Sequence, residues 1–240
     1  DEAVVVMGHW DHLGRTFSAP DGDKIFNGAV DNATGCAGVL EIAEAFALGK
    51  DKPKRSILFL LPTLEESGLL GSRYFAAHPT VPLPKLIAAV NMDALPVHGR
   101  ARDFAVIGHG QSDLDALLAE VLKVQDRVAV PEPTPESGFY FRSDHFNFAR
   151  VGVPALYGRG GFDLREGGVD AGKAEAADYT AKRYHKTADE LDAAWDVSSP
   201  VEDVQAFYEV ARRIADSDTR PQWSADSEFR AAGEARLKAR

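Results

Sequence analysis

The chain has 240 residues, with 27 Lys+Arg against 37 Asp+Glu, a formal net charge of −10, and 45% apolar residues. That suits one large domain over residues 1–240 with a substantial core, while the negative surplus and the lack of any basic run disfavour the phosphate-led binding of nucleic acids. No apolar stretch approaches the roughly 18 residues of a membrane span, and the single cysteine, Cys36, rules out an intrachain disulfide or a Cys-rich zinc ribbon.

The chain opens at Asp1 without the basic region of a signal peptide, so the expectation is a leader already removed or an excised domain. Residues 3–7 are short, β-branched and apolar, which predicts a buried strand ending at Gly8, with His9, Asp11 and His12 in its exit turn. Asp31 to Gly35 leads into Val39, Leu40, Ile42, Ala43, Ala45 and Phe46, spaced for one face of a helix that Gly49 and Pro53 close. A strand over 57–61 delivers Glu65 and Glu66, followed by a helix over 69–77, and a strand over 86–90 runs into Asn91-Met92-Asp93. Further elements are predicted as a strand at 105–107, a helix at 114–124, a buried strand at 153–157 and a final amphipathic helix at 201–215. Residues 158–181 hold six glycines without clear periodicity and read as a loop beside the site. Apolar strands alternating with helices, each strand handing over polar groups at its C-terminal end, predict a three-layer α/β/α sandwich with a mainly parallel mixed sheet.

The groups at these element ends are His9, Asp31, Glu66, Asp93 and His185. Carboxylates and imidazoles without thiolate suit zinc, with cobalt or manganese as substitutes. Converging carboxylates with no neighbouring Lys or Arg repel, and a pair of divalent ions resolves the conflict. If Asp31 bridges, one ion takes Glu66 and His185 and the other Asp93 and His9, leaving charge for a hydroxide. Glu65 points away from its neighbour and is a candidate general base, later the acid for a leaving amine. Asp11, two residues beyond His9, is a candidate acceptor for the imidazole N–H. Singly, each motif has an ordinary explanation as a turn, a helix cap or an acidic first helical turn. Their joint occurrence at strand ends favours a metal site.

Gly8-His9-Trp10-Asp11-His12-Leu13-Gly14, Gly28-Ala29-Val30-Asp31-Asn32-Ala33-Thr34-Gly35, Glu65-Glu66-Ser67-Gly68-Leu69-Leu70-Gly71-Ser72, Asn91-Met92-Asp93, Ser143-Asp144-His145-Phe146 and Tyr184-His185-Lys186-Thr187-Ala188-Asp189 resemble, in order, the motifs of the M28 metallopeptidases. The resemblance covers roughly residues 3–215. It implies a zinc-peptidase fold and a co-catalytic di-zinc aminopeptidase acting on peptides. The implied ligands are His9, Asp31 (bridging), Glu66, Asp93 and His185, with Glu65 as general base to a water held by both ions, which becomes the attacking hydroxide. It further implies an oxyanion role for Tyr140, a supporting role behind the metals for Asp144, a cis peptide after Asp31, and a secreted or periplasmic location.

Two departures stand out: Leu64 occupies a position usually held by a small residue, and the elements that commonly precede the His-x-Asp motif are absent. The sheet then has an open edge, to be covered by a preceding segment or a partner chain. A carboxypeptidase or dipeptidase, using Arg142 and Arg159 as a carboxylate clamp, is the nearest alternative function. A one-zinc glutaminyl cyclase-like transferase and a non-catalytic binding domain are the others. Phe139, Phe141, Tyr157 and Phe162 are candidates for an apolar substrate pocket, and His12, His78, His98, His109 and His145 are given no ligand role.

Overall fold

In the computed structural model, which describes residues 2–18 and 22–238, β1 (Ala3–Met7) is buried along its whole length. An apolar run without alternation fits a strand covered on both faces, and the pleat divides its side chains accordingly. Val4 and Val6 join Ile42, Leu118 and Phe207, whereas Ala3, Val5 and Met7 meet Phe75 and Phe148. The first partners come from α1 (Gly35–Leu48), α3 (Leu114–Val124) and α6 (Ser198–Asp216). The second come from α2 (Leu70–Ala77) and α4 (His145–Arg150). Helices on both faces give the expected three layers. Fully burying a side chain such as Phe207 or Phe148 contributes about 2–3 kcal/mol, so the central strands are held from both sides.

The main sheet has six strands, in the order β4 (Ser56–Leu60), β1, β5 (Leu86–Asn91), β8 (Ala155–Gly160), β6 (Asp103–Val106), β7 (Val128–Pro131). β2 (Gly14–Arg15) and β3 (Ile25–Phe26) form a separate antiparallel ribbon. The first four strands of the main sheet are parallel, β6 runs antiparallel to β8, and β7 is parallel to β6. Met7 lies opposite both Leu60 and Asn91, and Asn91 lies opposite Tyr157. The segments leaving these strands therefore emerge level with one another, where open α/β sheets place their ligands. β4 and β7 are the two outer strands, and residues 57–60 of β4 are only half-buried.

The segment 158–181 departs from the expected loop: it continues β8 to Gly160 and then forms α5 (Gly168–Lys182). Of α5, only Gly172 is buried, so no apolar stripe announces the helix. A Cβ on Gly172 would come within 2.1 Å of the Phe162 carbonyl oxygen, so the glycine lets α5 lie against the chain leaving β8. In α1 the helix begins only at Gly35, and Leu40, expected on the inner face, is 61% exposed. β7 and α7 (Arg230–Lys238) were not predicted. Both are short and largely exposed, so their patterns carry little signal.

Candidate metal centre

His9 lies just past β1 and is buried. Its Nδ1 donates to the main-chain carbonyl of Asp11 at 2.9 Å, which turns Nε2 toward Asp31 Oδ1 at 3.2 Å and Asp93 Oδ1 at 3.4 Å. The residue expected to fix the imidazole is thus Asp11, but through its carbonyl and not its carboxylate. The Asp11 carboxylate accepts the Leu64 amide at 2.7 Å. Leu64 has φ 57°, a left-handed conformation that costs a side-chain-bearing residue about 1–2 kcal/mol. The Asp11 contact helps to hold this turn, which carries Glu65.

Asp31 sits in the irregular segment before α1, and the Asp31–Asn32 peptide is cis. Its second oxygen, Oδ2, lies 3.4 Å from His185 Nε2, so its two oxygens face two different imidazoles. The backbone is pinned from below: the amides of Val30 and Asp31 donate to the buried carboxylate of Asp189 at 3.1 Å. The Asn32 side chain donates to the Met92 carbonyl at 3.0 Å and accepts the Gly35 amide at 3.0 Å and the Ala94 amide at 3.1 Å. A Cβ on Gly35 would fall 2.2 Å from Asn32 Oδ1 and 2.5 Å from the Met92 carbonyl oxygen. Only glycine allows α1 to start so close to the end of β5. Asp189 and Asn32 were given no role from sequence; their only signal was membership of the motif runs.

Glu66 Oε2 lies 3.2 Å from His185 Nε2, and its Oε1 lies 2.7 Å from His12 Nδ1. His12, which the sequence reading set aside, therefore enters the cluster. His12, Asp31 and Glu66 each offer an atom within 4.8 Å of the others, as do His9, Asp31 and Asp93, and likewise His9, Glu65 and Glu66. The Tyr184 ring stacks on His185 with centroids 3.9 Å apart. Asp93 is steadied by Ser143, whose hydroxyl donates to Oδ2 at 2.6 Å while accepting Asn91 Nδ2 at 2.7 Å. Ser143, and not Asp144, makes the hydrogen bond behind Asp93. Asp144 is fully buried at the start of α4 without capping it, and burial pushes its carboxyl up to about 6.

No lysine or arginine among the described residues forms an ion pair with Asp31, Glu65, Glu66 or Asp93. The charges instead act on one another. Burial, followed by the Asp93 carboxylate, pushes Glu65 up to about 9. Burial would lower the His9 pKa, but the Asp31 and Asp93 carboxylates outweigh it and raise it. Burial likewise works against ionisation of Asp31, and the His185 and His9 contacts overcome it, keeping Asp31 below the usual carboxylate range. Close-set buried carboxylates with imidazoles between them and no fixed cation have the donor chemistry of a zinc site. The one thiol, Cys36, is directed at the His9 carbonyl, 3.1 Å away.

A cavity of about 1350 Å³ opens over Asp31, Glu65, Glu66, Asp93 and His185 and is lined also by Phe139, Phe141, Tyr157 and Phe162, the aromatics expected near substrate. Tyr140 is different. It is 7% exposed, is packed against Phe141, His145 and Phe229, and is not among the cavity-lining residues, while its hydroxyl is buried without a hydrogen-bond partner. The oxyanion role implied for Tyr140 thus lacks support in this geometry. A Cβ on Gly108 would strike its ring at 2.1 Å, which shows how closely the ring is enclosed.

The sequence profile of Peptidase family M28 matches residues 1–221. Among solved structures, the LapA aminopeptidase of Legionella pneumophila has 20% identity and a TM-score of 0.68, covering 91% of this chain and 52% of that chain. BSAP, a zinc aminopeptidase from Bacillus subtilis, has 18% identity and a TM-score of 0.58, covering 95% and 50%. A vacuolar membrane protease of Tuber melanosporum is 30% identical over 144 residues, which are 58% of this chain and 13% of that protein. The chain thus spans about half the length of these solved relatives and a small part of the fungal one. Among the described residues no helix is long and apolar enough to cross a membrane.

Proposed function

This chain belongs to peptidase family M28, and on that premise we propose that it is a zinc-dependent aminopeptidase in which residues 1–240 act as one catalytic unit. The observation that carries the reading is the facing of the two Asp31 oxygens toward His9 and His185. His9, Asp31 and Asp93 would hold one ion, and Asp31, Glu66 and His185 the other, with His12 beside Glu66. Bound there, two zinc ions supply charge that polarises the scissile carbonyl and acidifies water.

The rest is the work of the chain. Glu65 accepts the proton of the attacking water and returns it to the departing amine, for which its turn, braced by Asp11 through Leu64, fixes its position. Burial and the Asp93 charge raise Glu65, and cations held by Asp31, Glu66 and Asp93 would oppose that rise. Ser143 and Asp189 hold Asp93 and Asp31 in place, and the aromatic walls of the cavity exclude water around the peptide.

The test is metal analysis together with hydrolysis of leucyl peptides that have a free or an acetylated amine. The expected result is about two zinc ions per chain, loss of activity with a chelator, and at least about a hundredfold preference for the free amine, as loss of a polar group that a site is built to bind can cost this much or more. One zinc per chain would point instead to a one-metal transferase. Equal cleavage of acetylated peptides would remove the aminopeptidase reading.

A further inference from the structure

The cavity contains two guanidinium groups that no acid neutralises. Arg159 leaves β8 half-buried, and its Nη1 donates to the Ala94 carbonyl at 3.4 Å. Arg142 Nη2 donates to the Tyr184 hydroxyl at 3.4 Å. Each arginine is thereby tied to a sequence neighbour of a metal-type residue, since Ala94 follows Asp93 and Tyr184 precedes His185. Their guanidinium carbons lie 5.9 Å (Arg159) and 5.2 Å (Arg142) from the centroid of the same Phe139 ring, so both cations gather around one aromatic wall. Among the described residues, neither forms an ion pair with Asp or Glu. Elsewhere in the fold, Arg100 engages Glu202 and Arg127 engages Asp203.

In a chain with a net charge of −10, two arginines without an acidic partner line the same cavity as the metal-type carboxylates. A guanidinium presents five donors in a fixed fork that matches a carboxylate. Here one weak bond per side chain leaves most of those donors free, on a half-buried Arg159 and an exposed Arg142. Stacking on Phe139 holds the forks in place, which lowers the ordering cost of binding. Neither arginine serves to neutralise the metal-type carboxylates, since neither pairs with Asp31, Glu65, Glu66 or Asp93.

Resting on the peptidase reading, we propose that Arg142 and Arg159 form a subsite for a substrate carboxylate, so that the preferred substrates are short peptides carrying a carboxylate within a residue or two of the scissile bond. That carboxylate has two possible sources, the free C-terminus of a di- or tripeptide or an acidic side chain. A charge-assisted pair of this kind is worth about tenfold or more in binding.

The experiment compares kcat and KM of the zinc-loaded protein on Leu-Ala and Leu-Ala-amide, and on Leu-Glu-amide and Leu-Gln-amide. The expected result is about a tenfold or greater advantage for the charged member of at least one pair, carried mainly by KM and shrinking as salt is raised. The first pair reports a C-terminal preference and the second an acidic side chain. In Arg142→Gln and Arg159→Gln the ratio should fall toward one. Calorimetric binding of the same four peptides to zinc-loaded Glu65→Gln protein decides the question independently of turnover. If no peptide is cleaved by the parent protein but the charged ones bind tighter, the peptidase reading fails and the subsite stands. Equal binding and equal kcat/KM within both pairs, or a charge preference that both arginine variants retain, overturns the subsite.

Discussion

The amide of Leu64 donates to the carboxylate of Asp11 at 2.7 Å, joining the exit of β1 to the turn that carries Glu65. Because His9 uses the carbonyl of Asp11 and not its carboxylate, replacing Asp11 by Ala separates two effects that would otherwise coincide. Zinc content should remain that of the parent, while kcat falls about 10- to 100-fold through loss of a charge-assisted hydrogen bond worth about 1.5–3 kcal/mol. Metal analysis and steady-state kinetics check this; loss of zinc together with activity would argue against a role confined to the Glu65 turn.

Glu65→Gln keeps the shape of the side chain and removes its ability to carry a proton. The expected fall in kcat is about 10²- to 10⁴-fold, the range for a lost general base or acid, with zinc retained. Full activity in this variant would dismiss Glu65 as the base.

Asp189 accepts the amides of both Val30 and Asp31 and is fully buried. Asp189→Asn places a donor where two amides already point. Zinc affinity, measured by chelator competition, should weaken about 10- to 100-fold, as for other partners that orient metal ligands. An unchanged affinity would reduce Asp189 to a structural role.

His145 is fully buried between Tyr140 and Tyr157, and burial pushes its imidazole down to about 3 from the ordinary 6.5. The unfolded chain then binds a proton below about pH 6.5 that the folded chain refuses. The stabilisation is present above the unfolded pKa and is lost as the pH falls from 6.5 toward 3, at about 1.4 kcal/mol per unit. Urea unfolding of the zinc-free protein at pH 7 and pH 5 should show this as about 2 kcal/mol, and His145→Gln should shrink the difference by that amount. A pH dependence that is the same in the variant would assign the acid sensitivity to other groups.

The legible parts of the sequence were those with a strong physical pattern. Unbroken apolar runs gave β1 and β5, and the apolar spacing over 114–124 gave α3 with the observed limits. The metal-type residues were legible because several hard ligands occurred at strand ends, and the structure brings His9, Asp31, Glu66, Asp93 and His185 together. α5 was hidden because it buries little more than a glycine. The setting of Tyr140 is not legible because a tyrosine looks the same in sequence whether its hydroxyl faces a cavity or, as here, its ring packs in an aromatic cluster. His12 and Asp189 were overlooked for the opposite reason: their partners, Glu66 and the amides of Val30 and Asp31, are far away along the chain and only tertiary structure reveals them.

The two adjacent glutamates hang from β4, an outer and half-exposed strand, whereas His9 and Asp93 follow strands paired on both sides. Fraying of a sheet starts where one side has no neighbour to unzip from. A brief detachment of that rim would carry Glu65 and Glu66 away together and leave His9 and Asp93 behind, so catalytic competence should be more fragile than the fold, vanishing under mild denaturant before global unfolding begins.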